Sequence, residues 1–259
     1  MGKTALVTGA SAGLGAELAS LFAADGHDLV VVARRRDKLE ELAAAIKAKH
    51  PVEVHVLAED LARPGAAKRI ADALETRGIA VEFLVNNAGF GGTGAFAERD
   101  LARELEMIQV NVVALVELTH LLLPPMIARK SGRVLNLGST AGFVPGAFMA
   151  VYYASKAFVN SFTEALSVEL EGTGVTATVS CPGATATEFA QVAGNDKSAL
   201  FKAKVMNARE VAEDAYRAMM RGQPLAVAGF MNKVRIASLR FAPRGMARNL
   251  AASLNRTAE

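Results

Sequence analysis

Short, nearly continuous apolar runs alternate with longer stretches of helical periodicity from the start of the chain. Residues 5–8, 29–33, 52–57, 81–85, 133–137 and 175–180 are rich in Val, Leu and Ala, the pattern of strands buried on both faces. Between them, 13–24, 37–49, 64–77, 98–123 and 152–171 carry helical spacing, with Leu101, Leu105, Ile108, Val112, Leu115 and Leu122 marking the longest. Repeated strand–helix units imply right-handed crossovers, hence a single doubly wound α/β domain: an open parallel sheet with helices on both faces. Such sheets bind ligands beyond the carboxyl ends of their strands, so the chemistry is sought in the segments that follow each strand.

Composition narrows this picture. The chain has 259 residues, 51% hydrophobic, with a net charge of +3. One cysteine, Cys181, and four scattered histidines leave no disulfide framework and no Cys/His metal cluster. The best apolar stretch, around Leu121 to Leu123, meets Pro124-Pro125 before reaching membrane-spanning length, and the first residues enter a strand at once, leaving no room for a signal peptide. A cytoplasmic, reducing-compartment protein is the expectation. The positive charge gathers in the tail, where residues 225–259 hold six basic side chains against one acid. No base-reading stripe or nucleic-acid motif accompanies it, so nucleic acid is set aside.

The first strand runs into Thr8-Gly9-Ala10-Ser11-Ala12-Gly13-Leu14-Gly15 and then a helix. Glycines permit a tight turn and close backbone approach, and the helix start offers free N–H groups to a pyrophosphate. The second strand ends in Ala33 followed by Arg34-Arg35-Arg36. With no carboxylate there to repel a 2′-phosphate, and Arg34 placed to grip it, NADP(H) is favoured over NAD(H). Past the fifth strand stands Ser139, and thirteen residues on comes Tyr152 with Lys156 one helical turn away. A cation beside a phenol favours its ionised form, so Tyr152 is expected to exchange a proton with a carbonyl or carbinol oxygen that Ser139 holds. Asn111, between Val110 and Val112 on the long helix, needs a polar partner. Tyr153 is out of register with Lys156 and is assigned to packing, and His120 to packing or an interface.

In the order Thr8-Gly9-x-x-x-Gly13-x-Gly15, Asp60-Leu61, Asn86-Asn87-Ala88-Gly89, Asn111, Ser139, Tyr152-x-x-x-Lys156 and Pro182-Gly183, these motifs make the chain resemble a classical short-chain dehydrogenase/reductase over residues 3 to 230. The resemblance implies a Rossmann-like fold and an NADP(H)-dependent oxidoreductase acting on CH–OH or C=O groups. It implies catalytic roles for Asn111, Ser139, Tyr152 and Lys156, with Asn111 interrupting its helix and binding a water that links Lys156 to a proton relay. Lys156 would both hold the nicotinamide ribose and lower the Tyr152 pKa. The cofactor contacts it implies come from the first turn (Gly9, Ser11, Gly13, Leu14, Gly15), from Arg34, from Asp60 and Leu61 by the adenine, and from Asn87, Ala88 and Gly89. At the nicotinamide end they come from Tyr152, Lys156, Pro182, Gly183 and Thr187.

Phe90, Phe96, Phe143, Phe148, Met149, Phe189, Phe201 and Met206 lie in the loops that would meet a substrate and favour a hydrophobic ketone or aldehyde. A 3-oxoacyl-thioester reductase is the nearest alternative, and a non-catalytic dinucleotide sensor the next; the intact Tyr and Lys argue against the sensor. Residues 187–207, with Gly194-Asn195-Asp196, read as a lid, and Lys197, Lys202 and Lys204 on it leave an acidic or phosphorylated substrate open. Beyond residue 230, Val234, Ile236, Leu239 and Phe241, then Met246, Leu250 and Leu254, mark two short amphipathic helices with basic outer faces. This extension, 231–259, is expected to close the substrate mouth or form a subunit interface in a dimer or tetramer; peripheral contact with an anionic membrane is the alternative.

Overall fold

The computed structural model describes residues 3–195, 198, 205–239 and 243–255. Seven parallel strands form one sheet: β1 (Thr4–Thr8), β2 (Asp28–Ala33), β3 (Val54–Ala58), β4 (Val81–Asn86), β5 (Gly132–Leu137), β6 (Val175–Cys181) and β7 (Leu225–Val227). Their spatial order is β3-β2-β1-β4-β5-β6-β7, so the winding reverses between β1 and β4 and opens a crevice there. The third strand starts two residues later than its apolar run, because Pro51 and Val52 belong to the turn before it. The short edge strand β7 has too little alternation to be read from sequence.

Alternate residues of each strand serve opposite faces. Ala5, Val7, Leu29 and Val31 pack under α1 (Gly13–Ala24) and α2 (Arg36–Lys47) with Leu18, Phe22 and Leu39. Leu6, Val30, Val32 and Leu84 face Ile70 and Leu74 of α3 (Ala66–Thr76). Burial of each large side chain contributes about 1.5–3 kcal/mol, and both faces are covered, which is why these strands carry no polar alternation.

The long helical stretch is three pieces. α4 (Leu101–Ile108) starts at Asp100, whose carboxylate accepts the Ala102 N–H at 3.0 Å. A π turn, Gln109–Val113, follows, and α5 (Ala114–Ala128) continues through Pro124 and Pro125. The prolines do not end the helix as their positions had implied. The run Leu101–Ala128 is 28 residues and apolar enough to cross a membrane by length and composition, but Leu118, Leu122 and Met126 are packed against the sheet. α6 (Ala150–Glu169), α7 (Phe189–Ala193), α8 (Ala208–Met220), α9 (Phe230–Leu239) and α10 (Arg244–Asn255) complete the described elements.

A buried polar ladder ties the centre of the sheet to its helices. Asn86 Nδ2 donates to Thr119 Oγ1 at 3.0 Å and to Asn136 Oδ1 at 2.9 Å, and Asn136 Nδ2 donates to Thr163 Oγ1 at 2.9 Å. Asn136→Ala should therefore orphan groups on both sides and lower the unfolding free energy by about 2–4 kcal/mol. Urea denaturation reads this as a lower midpoint at unchanged slope. An unchanged midpoint would show that the ladder carries no net stability.

Candidate active site

A cleft of about 630 Å³ runs along the carboxyl edge of the sheet. The turn after β1 forms one wall. Gly9 has φ +66°, and a side chain there would lie 2.9 Å from the Ala88 Cα; one on Gly15 would lie 2.3 Å from the Gly9 carbonyl oxygen. The turn is thus closed as only glycine allows. Helix α1 begins at Ala12, which has no side chain able to cap it, and its first turn holds no acid. Its leading N–H groups therefore face the cleft without a side-chain acceptor, an arrangement that fits a phosphate. Leu14 and Thr187 also line this wall, Thr187 packed against Gly13.

At the end of β2, Arg34 and Arg35 both line the cleft. Arg34 Nη1 lies 3.6 Å from Glu106, whereas Arg35 Nη2 donates to Ser11 Oγ at 3.2 Å and to Glu188 at 2.9 Å. Arg35 is thus held against the phosphate turn, a placement that residue order alone did not single out. Asp60 accepts the Ala62 N–H at 3.0 Å and stands beside Leu61 in the wall. Asn87, Ala88 and Gly89 line the floor where the sheet reverses.

Ser139 leaves β5 and Tyr152 and Lys156 enter from α6, so the three meet above the floor. Ser139 Oγ accepts the Ala141 N–H at 3.0 Å and keeps its own hydrogen as a donor toward the Tyr152 side of the cleft. Burial pushes the Tyr152 phenol above its ordinary range, and a hydrogen bond with Ser139 offsets part of the rise. The expectation was a depressed tyrosine, but here burial outweighs the effects that lower it; Lys156 Nζ stands 6.0 Å from the Tyr152 ring centre and donates to the Leu137 carbonyl at 2.6 Å. Burial lowers the Lys156 pKa to about 8.

Asn111 occupies the π turn. Its Oδ1 accepts the Phe90 N–H at 3.0 Å, and its Nδ2 donates to the Phe90 carbonyl at 3.0 Å and to Ser155 Oγ at 3.1 Å. A side chain on Gly89 would touch both Asn111 Oδ1 and Lys156 Nζ, so Asn111 and Lys156 face the same small space. Pro182 and Gly183, after β6, close the end of the cleft.

Of the loop residues expected at the substrate, Phe90, Met149, Phe189 and Met206 line the cleft; Phe96, Phe143 and Phe148 do not. Asp196, Lys197, Phe201, Lys202 and Lys204 of the lid, and Arg240, Phe241, Arg256 and Glu259 of the tail, lie outside the described residues. Sequence patterns offered closure of the substrate mouth as one role for the C-terminal extension and marked Ile236, Leu239, Leu250 and Leu254, but they did not single out Asn232 or Arg235 as lining residues. Asn232, Arg235, Ile236 and Leu239 of α9, with Leu250 and Leu254 of α10, line the cleft from above. Tyr153 is more than packing: its hydroxyl donates to Asn255 Oδ1 at 3.0 Å, and Asn255 Nδ2 donates to the Ala147 carbonyl at 3.0 Å, pinning α10 to α6. His120 is exposed.

The family profile described as short chain dehydrogenase matches residues 3–198. Sulfoacetaldehyde reductase 2 of Chromohalobacter salexigens is 40% identical over 202 residues, 77% of this chain and 79% of that protein. A very-long-chain 3-oxoacyl-CoA reductase of Phaeosphaeria nodorum is 38% identical over 183 residues, 67% of this chain and 52% of that protein, so the aligned part spans about half the relative's length. The solved structure of a short-chain dehydrogenase from Sphingobium yanoikuyae in complex with NADPH superposes with a TM-score of 0.84 at 33% identity, covering 94% of both chains.

Lys156 should titrate near pH 8 in the cofactor-free protein, against 10.5 for an ordinary lysine. Between those values the unfolded chain holds a proton that the native chain has released, so this group makes stability rise with pH across that window. A ¹³C-lysine NMR titration, with the Lys156 signal assigned by its loss in Lys156→Arg, reads the value directly. A midpoint among the other lysines would show that burial does not perturb it.

Proposed function

This chain belongs to the short-chain dehydrogenase family, an oxidoreductase acting on C=O and CH–OH groups, and we propose that it reduces an apolar ketone or aldehyde with NADPH. The observation that carries this reading is the convergence of Ser139, Tyr152 and Lys156 at one end of a cleft whose other end is the glycine turn. When bound, the dinucleotide supplies a hydride to the carbonyl carbon. Tyr152, kept protonated by its buried setting, gives its proton to the carbonyl oxygen. Ser139 donates its hydroxyl hydrogen to that same oxygen and orients it. Lys156, still mostly a cation at neutral pH with a pKa of about 8, stabilises the phenolate that remains. Asn111 holds the Phe90 backbone and Ser155 in place behind Lys156.

Preference for NADPH is supported by Ala33 where a ribose-binding acid would stand, by the two arginines that follow it, and by the NADPH-bound relative. The apolar roof supports a hydrophobic substrate. The half-length likeness to a 3-oxoacyl-CoA reductase supports a thioester as the second reading. Exposed Leu101, Leu105 and Ile108 on α4, with Phe158 on α6, support a homo-oligomer, and the buried thiol of Cys181 agrees with a reducing, cytoplasmic setting.

Tyr152→Phe should cut ketone reduction by roughly 10²–10⁴ while NADPH still binds. Steady-state assays with nucleotide titration separate the two effects; a loss under about tenfold would move the acid role elsewhere. Arg34→Ala should weaken NADPH by about tenfold or more and leave NADH little changed, the loss of a charge-assisted contact. Calorimetric titration with both nucleotides checks this. Equal changes would place 2′-phosphate recognition on Arg35 and Ser11.

A further inference from the structure

We infer that the substrate bears an oxyanion, a carboxylate or sulfonate, held by Arg235 at the far end of its apolar body. This rests on the reductase reading and adds the class of substrate to it. Asn232, Arg235, Ile236 and Leu239 follow the i, i+3, i+4, i+7 spacing of one helical stripe, and all four line the cleft. Helix α9 is fixed in that orientation: Asn232 Nδ2 donates to the Ala228 carbonyl at 2.8 Å and lies so close to Gly183 that a Cβ there would be 2.7 Å away. The helix also packs against the turn that follows Ser139. Arg235 therefore lines the cleft while remaining solvent-exposed.

Exposed beside Asn232, Ile236 and Leu239 in the cleft wall, the Arg235 guanidinium is free to meet an anion there. No ion pair or side-chain hydrogen bond engages it among the described residues. The carboxylates that line the cleft are engaged elsewhere: Glu188 by Arg35, Glu106 by Arg103 and Arg34, Glu59 by Arg69, and Asp60 by the Ala62 amide. Val144, Met149 and Leu250 line the cleft along with Ser139 and Arg235. Among the described residues that line it, the other charged side chains are Arg34, Arg35, the buried Lys156 and those four engaged carboxylates. A carbonyl at Tyr152, an apolar segment and a terminal oxyanion fit that set of surfaces. The 40% identical sulfoacetaldehyde reductase acts, by its name, on an aldehyde that carries such a group.

The test uses the full chain with NADPH and a matched pair, a medium-chain oxo-carboxylate and its methyl ester, with sulfoacetaldehyde as a short sulfonate. The carboxylate should be favoured over the ester by about tenfold in kcat/KM, the difference lying in KM and shrinking with added salt. Arg235→Gln should abolish that ratio, Arg235→Lys should keep part of it, and Arg235→Glu should invert it toward a ketone bearing a trimethylammonium group. Lys233→Gln, on the same helix but off the stripe, should leave the ratio as it is. Preference for the ester, or a ratio indifferent to Arg235→Gln, overturns the inference. So does turnover of simple neutral ketones with none of either acid, which would leave the reductase reading standing. Failure of every carbonyl to oxidise NADPH overturns the reductase reading itself, and this inference with it.

Discussion

The Thr8 hydroxyl accepts the N–H groups of Asn87 and Ala88, each at 3.0 Å, while the Asn87 carboxamide donates back to the carbonyls of Thr8 and Gly9. These bonds join the ends of β1 and β4 across the place where the strand order reverses. They hold the glycine turn against the neighbouring strand so closely that a Cβ on Gly15 would meet both the Gly9 carbonyl and the Asn87 amide. The glycine-turn side of the cleft takes its position from this contact. It fixes where α1 starts, and thus where uncapped N–H groups face outward. It also sets the level of the Asn87–Gly89 floor beneath Lys156 and Asn111. A side chain in the turn would separate β1 from β4 before it touched any ligand.

Above that floor, one buried setting acts on two titrating groups in opposite senses. The same exclusion of water raises the Tyr152 phenol and lowers the Lys156 ammonium, because each is pushed toward its neutral form. An acid that keeps its proton is suited to reduction, in which the substrate oxygen must gain one. The cation stays bound to the Leu137 carbonyl, so it is oriented by the end of β5 rather than by the tyrosine. The π turn belongs to the same arrangement. One extra residue in the helix turns Asn111 inward to bracket the Phe90 peptide from both sides, which fixes the loop after β4 against α6 through Ser155.

Six strands and the chemical residues were legible from the chain because each depends on local pattern: continuous apolar runs, glycines after a strand, and a tyrosine and lysine one helical turn apart. What escaped depends on distant partners. Pro124 and Pro125 read as a stop, yet the helix passes through them with Met126 still packed on the sheet. The polar use of Tyr153 rests on Asn255, a hundred and two residues away. The Tyr152 phenol departs from its expected depression for a related reason: spacing places Lys156 on the same helical face, but only tertiary packing decides how deeply the phenol is buried.

The C-terminal helices show what that dependence means for function. Charge counting along the tail treats its arginines as one basic surface, whereas the fold divides them. Lys233 and Arg235 are both exposed, but only Arg235 joins Asn232, Ile236 and Leu239 in lining the cleft. That division is made by two anchors, Asn232 against Gly183 on α9 and Asn255 between Tyr153 and Ala147 on α10. Both anchors grip segments adjoining the reacting groups: Gly183 follows β6 at the end of the cleft, and Tyr153 is the residue next to Tyr152. The roof and the segments that carry Gly183 and Tyr152 are therefore joined by direct contacts. On the proposed reading, a change in the tail that loosens either anchor would act on the position of Tyr152 as well as on the shape of the pocket.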